Sequence, residues 1–469
     1  AENNTVSSAI AKPVGEGAVA GTVGVGASVA LNIANTETIA ELEDNSVLTG
    51  AHDLHLSATS DNSVNTIAKA GGKAGTGVGV GGALATSLAN NETRTTLGSG
   101  SDQSFGGDFS AKANHVGSTT TFADGSAGGD SAAIGVALGL NIVNDNTFAT
   151  SKRHIDAAGD ITFIAHAAAA SSAGAKASAT GAKDEGDNPD EKGVDKKIDA
   201  ERKLANDKAI ETGTTGTDGV SDTPKAETSE GGVSVAAAIG VNLASSTALA
   251  EIPKDGVVSS EGMLTLSSSN KSDATAKANG MATGAGAANV GAAVAINLVS
   301  AKNQALIGSG ATITADWLTL EAKRTEAKGD TTGMVGAEAI SGASGGKVGI
   351  AGSLALNLSD SKNEAIIGEG STVTLDGGDI KLVAEGATSA TVLATAKGSA
   401  VSGDDKVVAA GDTALITADT LIGSAAGQVE ITPVGVNQND LKFTLHDGNI
   451  LLVSLDGASK LEDVISKIN

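Results

Sequence analysis

The chain has no cysteine and no tyrosine, one tryptophan (Trp317), and aromatic residues at only 1% of its 469 positions. Without cysteine it has no disulfide, thiolate metal site or thiol nucleophile. With so few aromatics, a globular core of this size lacks its usual large side chains, and a sugar site built on ring platforms has almost no material. No run of about 18 strongly apolar residues occurs, so no transmembrane helix is expected. Basic residues are the minority, 31 against 55 acidic, for a net charge of −24. That argues against binding nucleic acid or anionic lipid through bulk charge. No basic-then-apolar leader opens the sequence.

What the chain has is small residues, 63 glycines with abundant alanine and serine, arranged in a repeat. Val23-Gly-Val-Gly-Ala-Ser-Val-Ala-Leu-Asn-Ile33, Val290-Gly-Ala-Ala-Val-Ala-Ile-Asn-Leu298 and Val348-Gly-Ile-Ala-Gly-Ser-Leu-Ala-Leu-Asn-Leu358 are copies of one segment. Asn32, Asn141, Asn242, Asn297 and Asn357 hold one place in it, and Ser87 holds that place in the second copy. The spacings along this series are 55, 54, 101, 55 and 60 residues, the value of 101 being one repeat plus an insertion. A fixed period of this length means one unit stacked on itself.

Within the copy that opens at Val348, Val348, Ile350, Leu354, Leu356 and Leu358 alternate with Gly349, Ala351, Ser353, Ala355 and Asn357. Period two is a β-strand signature. The large face is expected to build the core, and the small face either to pack closely on another layer or to lie flat to solvent. A second matching stretch follows, Asn303–Thr314 against Asn363–Thr374. It leads to a Gly-Asp-type turn and strand: Gly378-Asp-Ile-Lys-Leu382, Gly159-Asp-Ile-Thr-Phe163 and His52-Asp-Leu-His-Leu56. The fold expected is all-β, a parallel β-solenoid (β-helix) of about six ~55-residue repeats with one or two coils each. The recurring Asn is expected to form a hydrogen-bonded ladder along the stack, with a ligand role as the alternative.

Residues 1–20 read as the end of a preceding repeat, because Asn4–Lys12 resembles Asn62–Lys69. Residues 21–183 hold repeats one to three and 232–406 repeats four to six. Between them, 184–231 reads as an acidic, charged insertion loop with a possible short helix. Residues 407–428 read as a partial coil or linker. Residues 429–469 form a small ββα module: strands Leu441–Leu445 and Ile450–Leu455 around a His446–Asn449 turn, then a helix opened by Ser459-Lys-Leu-Glu462. The chain is expected to be a section of a longer protein whose export signal lies upstream.

Residues 20–406 resemble the repeats of very large secreted bacterial surface proteins, the leukotoxin-like filamentous adhesins and haemagglutinin-like exoproteins. The Val-Gly-Val-Gly-Ala-Ser-Val-Ala-Leu-Asn strand, the Ala365-Ile-Ile-Gly run and the Gly378-Asp-Ile-Lys-Leu strand carry the likeness. Leu441–Asn469 is similar to a ββα motif of flagellin and hook-associated proteins. The resemblance implies an extracellular, cell-surface β-solenoid that serves as adhesin stalk or filament. Its implied partners are neighbouring repeats, copies of itself end to end, and a surface receptor or glycan the sequence does not name.

The candidate chemistry is thin. The histidines His52, His55, His115, His154, His166 and His446 form no metal motif, and each is expected at a surface or turn. Gly75–Gly82 lacks the Gly-Lys-Ser/Thr of a phosphate loop. Asp53, Asp108, Asp160 and Asp379 share a turn position, which argues for turn chemistry rather than a catalytic cluster. No cofactor is expected. Ca²⁺ at Asp184-Glu-Gly-Asp-Asn-Pro-Asp-Glu191 is the one metal to weigh, and that cluster lacks the spacing of a calcium loop. The reading is therefore non-catalytic. The rivals are a carbohydrate-active β-helix enzyme and an ice-binding solenoid, the latter suggested by Thr312-x-Thr314 and Thr372-x-Thr374.

Overall fold

The computed structural model describes residues 1–14, 17–179, 232–284, 288–325, 332–345, 348–399, 406–413, 441–444 and 450–453. The insertion, the proposed C-terminal helix and most of 407–428 lie outside the described residues.

Each repeat is one coil. β1 (Glu2–Ala11) and β2 (Ala18–Ala20) precede the first full turn, which runs β3 (Val23–Leu42) then β4 (Leu54–Ala74). The second coil is β5 (Val78–Leu97), β6 (Gln103–Phe105) and β7 (Phe109–Gly129). The third is β8 (Ala132–Ser151), β9 (Ile155–Ala157) and β10 (Ile161–Ala179). The fourth is β11 (Val233–Ile252), β12 (Val257–Ser260) and β13 (Met263–Thr283). In the fifth and sixth the return strand is split: β14 (Ala288–Ile307), β15 (Thr312–Ala315), β16 (Trp317–Lys323) and β17 (Gly333–Ser344), then β18 (Val348–Ile367), β19 (Thr372–Leu375), β20 (Ile380–Ala384) and β21 (Thr388–Ser399). β22 (Lys406–Thr413) adds to β18, and β23 (Leu441–Thr444) pairs antiparallel with β24 (Ile450–Val453).

Stacking produces three parallel sheets. A long lead sheet runs β22-β18-β14-β11-β8-β5-β3, a short sheet runs β19-β15-β12-β9-β6, and a return sheet is built on β1-β4-β7-β10-β13-β16-β20, with β2, β17 and β21 joined to it. β11 registers with β8 from Val233↔Ala132 onward, so the solenoid resumes in step after the insertion, which leaves at a corner between return and lead strands. β1 belongs to the return sheet, with Ile10 and Ala11 beside Ile67 and Ala68. With one coil per repeat and about 4.8 Å per coil, six coils span roughly 30 Å.

The interior has three zones. Where the lead strands end and the short sheet turns, the coil is wide and filled by large side chains such as Leu97, Phe109, Phe163, Ile252, Leu264 and Ile307. Phe109 lies between Phe105 and Phe163, at centroid distances of 5.6 and 5.4 Å. Where the lead strands begin, the lead and return sheets almost touch, and the packed cluster is made of alanine alone, including Ala85, Ala123, Ala137, Ala177, Ala238 and Ala295. Glycine makes the closest approach possible: a methyl group added to Gly81 would sit 1.7 Å from the Ser126 carbonyl oxygen. Between these zones lies a polar band.

The direction of the lead strands reverses the expectation from the sequence. The small face is the buried one: Ala351 and Ala355 are at most 2% exposed, while Ile350, Leu354 and Leu358 are 44–56% exposed. The two sheets are close in this zone, and the inward places hold alanine, glycine and a few polar residues such as Ser234 and Asn289, so the large apolar side chains are left on the outside.

Candidate functional site

The polar band contains the sequence-predicted asparagines, brought into one file by the register of the lead sheet. Asn141 Nδ2 donates to Asn242 Oδ1 at 2.8 Å, Asn242 Nδ2 to Asn297 Oδ1 at 2.8 Å, and Asn297 Nδ2 to Asn357 Oδ1 at 2.7 Å. At Ser87 the file is bridged by hydroxyls: Ser87 donates to Thr66, and Thr121 donates to Ser87 and to Asn141 Oδ1. Asn32 is buried one coil before Ser87, where Ser7 donates to its Oδ1 at 2.7 Å. Asn141, Asn242 and Asn297 are fully buried, so their amides serve one another and no ligand reaches them.

A second buried cluster was not foreseen. His115 is 2% exposed, a correction to its expected surface position. Its Nδ1 lies 2.7 Å from Ser60 Oγ, and its Nε2 lies 3.2 Å from Asp145 Oδ1, off line for a hydrogen bond. Ser60 also bonds Thr93, and Asn91 Nδ2 donates to Asp145 Oδ1 at 2.6 Å. Serine, histidine and aspartate thus meet without forming a nucleophilic triad. The ring nitrogens are interchanged relative to the hydrolase arrangement, in which Nδ1–H faces the carboxylate and Nε2 takes the serine proton. Ser60, His115 and Asp145 are each at most 2% exposed, so no substrate reaches the hydroxyl. The period-two count held the signal: Phe109, Ala111, Ala113 and His115 face inward together, as do Asn141, Val143 and Asp145.

The other histidines are spread out. His52 is exposed and its Nδ1 lies 2.9 Å from Asp53 Oδ1; His55 is exposed; His154 is half-exposed and pairs with Asp102 at 3.2 Å. His166 is half-buried against Ser269, and burial holds its pKa below the usual value, which corrects its expected surface placement. His446 lies outside the described residues.

Three of the four shared turn aspartates form a ladder of their own, while Asp379 accepts from the Leu318 amide through its backbone carbonyl. Asp53 Oδ1 accepts from the Asp108 amide at 2.8 Å, Asp108 Oδ1 from the Asp160 amide at 2.9 Å, and Asp160 Oδ1 from the Met263 amide at 2.8 Å. The Asp108 amide, with the His52 ring, holds the Asp53 carboxyl below the usual range. One further residue escaped the sequence reading. Arg153, 4% exposed, donates to the carbonyls of Gly98, Ser99, Ser46 and Glu43 and so ties together the turns of two preceding coils.

Outward-facing threonines Thr312 and Thr314 stack over Thr372 and Thr374 on the short sheet. The preceding coil presents Val257 and Ser259 at the first two places instead. A cavity of about 230 Å³ lies against the return sheet, lined among others by Ser172, Thr275, Lys277, Glu338 and Thr391; Lys277 and Glu338 approach to 3.9 Å there. Among the described residues no group of three or more His, Asp or Glu side chains is arranged to hold a metal ion. The acidic run at 184–191 lies outside them. Compared with known protein families, curated proteins and solved structures, the chain matches none.

Proposed function

We propose that this chain is a structural, non-catalytic stalk or filament segment of a large secreted bacterial surface protein of the filamentous-adhesin kind. The observation that carries the reading is the unbroken register of the lead sheet through six full coils, reinforced inside by the asparagine file and at a corner by the aspartate ladder. Each coil contributes backbone bonds to both neighbours, so its removal or extension changes length without changing the unit. The polar side chains that recur do so at equivalent places in successive coils, as a spacer needs and as a single reaction centre does not. In this reading the chain works outside the cell and holds a binding part away from the surface. Its partners are the neighbouring coils and repeats of the same protein.

The test has two arms. An antibody raised against the chain labels the surface of intact source cells without permeabilisation, and a version of the native protein lacking whole coils produces a correspondingly shorter surface fibre. Labelling that requires permeabilised cells would overturn the placement. Turnover of a polysaccharide by the purified chain would overturn the non-catalytic reading in favour of the enzyme.

A further inference from the structure

The outer face of the lead sheet is apolar over half its width. Val25, Val80, Ile134, Val235, Val290 and Ile350 form one row across six coils. Parallel rows run through Val29 and Leu84, Leu31 and Leu140, and Ile33 and Leu88. Across the six coils none carries a charge and Thr86 is the polar exception; one strand on, in β22, Asp412 registers with Leu354 and Lys406 with Val348. The apolar field stops at the row of Asn35, Asn90, Asn144, Ser245, Ser300 and Asp360. Its members are partly exposed inside the stack, up to 43% at Val136 and 39% at Ile239, and more so at the end, where Val29 is 64% exposed. Eleven residues at about 3.3 Å and six strands at about 4.8 Å make a flat field of roughly 1,000 Å². The largest apolar patch on a typical monomer is about 300–600 Å², and a stable interface takes about 800 Å² from each partner.

We infer that this face is an interface between two copies of the chain, packed lead sheet on lead sheet with the rods side by side. Three observations favour a second copy over other occupants. The first is the sequence pattern. A strand such as Val290–Ile296, apolar on both faces, reads as one covered on both sides, and the coil covers only one. The second is shape. The row through Ala27, Gly82, Ala237, Ala292 and Gly352 is a furrow, filled only at Val136, and the next row, through Val29, Leu84, Leu138, Ile239, Val294 and Leu354, is a ridge of branched side chains. A two-fold axis along the rod, midway between furrow and ridge, lays each ridge in the partner's furrow. It also pairs the Val25 row with the Leu31 row and the Val23 row with the Ile33 row, so the apolar field falls on itself. Self-complementarity of this kind is what an isologous contact requires. The third is charge. With a net charge of −24, two copies repel over most of their surface, and this uncharged face is where they can approach. The same charge disfavours an anionic bilayer, and no tryptophan borders the field to anchor it in lipid, although Lys302 and Lys362 stand one row past the polar boundary.

Sedimentation velocity on the full chain tests this. At micromolar concentration the chain is expected to sediment at twice the 45.4 kDa chain mass. Ile239→Glu, an outward substitution, is expected to return it to the monomer. Association should weaken on the order of 100-fold or more, because the two-fold axis buries the new carboxylate twice, while circular dichroism stays unchanged. Thr247→Glu, on the same outer face of β11 but past the polar boundary, is expected to leave the dimer intact. Should Ile239→Glu fail to fold, a mixture of Ala237→Cys and Ile239→Cys chains, in a protein with no other cysteine, is expected to oxidise to covalent dimers that Thr247→Cys does not form. A wild-type chain that stays monomeric throughout would overturn the proposal, as would equal dissociation by Thr247→Glu. Flotation of monomeric chain with neutral phosphatidylcholine vesicles would overturn it in favour of lipid.

Discussion

Asn242 is the plainest case of a side chain whose environment decides its role. It accepts from Asn141 and donates to Asn297 and to Ser171 Oγ, and it is wholly buried. Asn242→Ala leaves the amide of Asn141 and the oxygen of Asn297 without those bonds, at a cost of roughly 2–4 kcal/mol in urea unfolding, since each buried unsatisfied group costs about 1–3 kcal/mol. Gly81 and Gly82 are adjacent yet opposite in demand. A methyl group at Gly81 meets the Ser126 carbonyl at 1.7 Å, and one at Gly82 meets nothing within 4 Å. Gly81→Ala is expected to lower the unfolding midpoint by the equivalent of about 1–3 kcal/mol or more, and Gly82→Ala to leave it nearly unchanged. Protonation adds a pH dependence. His166 has a lowered pKa, so the unfolded chain binds its proton first as pH falls; its contribution is full above the unfolded value of about 6.5 and is lost as pH drops through that value toward the folded pKa. Asp53 also has a lowered pKa, so its contribution is present above about 4 and is lost below it. Melting temperature measured against pH should therefore fall in two stages on acidification, and His166→Gln should remove the upper stage. The sequence showed that the asparagines recur. The burial of His115 was readable from the period-two count along β7, whereas Arg153 occurs once in a corner and no repeat marks it.

At the scale of the strand, alternation was legible and its direction was not. Val348, Ile350, Leu354, Leu356 and Leu358 read as a core face on size alone. Which face is buried depends on how near the return sheet comes, and that is set by contacts between residues tens of positions apart, such as Gly81 with Ser126 and Gly240 with Lys277. The corner residues follow local backbone rules instead. Gly310 and Gly370, the second glycines of Gly-Ser-Gly and Gly-Glu-Gly, adopt φ +72°, and Asn45 and Asp255 adopt φ 60° and 57° at the corresponding turns. Asparagine and aspartate are the side chains that tolerate this region best. Gly370→Val is therefore expected to destabilise the chain although its surroundings are open, and Gly370→Asn to be better tolerated; thermal unfolding of the two variants separates backbone strain from crowding.

For the whole molecule, the period and the parallel solenoid followed from the repeat, whereas the number of coils per repeat did not. Each ~55-residue unit contains two strands of about 20 residues and a short third, and a sequence alone does not say whether two long strands close one coil or two. Register decides it: Glu37 aligns with Glu92, then Asn146, Thr247, Lys302 and Lys362, one residue from each coil. A stack built this way has a length set by the number of its repeats, and no single residue carries it. The most direct test is a distance across the stack. Spin labels on Glu37→Cys and Lys362→Cys, exposed positions on the polar half of the lead sheet in an otherwise cysteine-free chain, should report a narrow distribution near 24 Å, five coil spacings of about 4.8 Å, in samples diluted with unlabelled chain. A distance near twice that value, or a broad distribution, would contradict one coil per repeat.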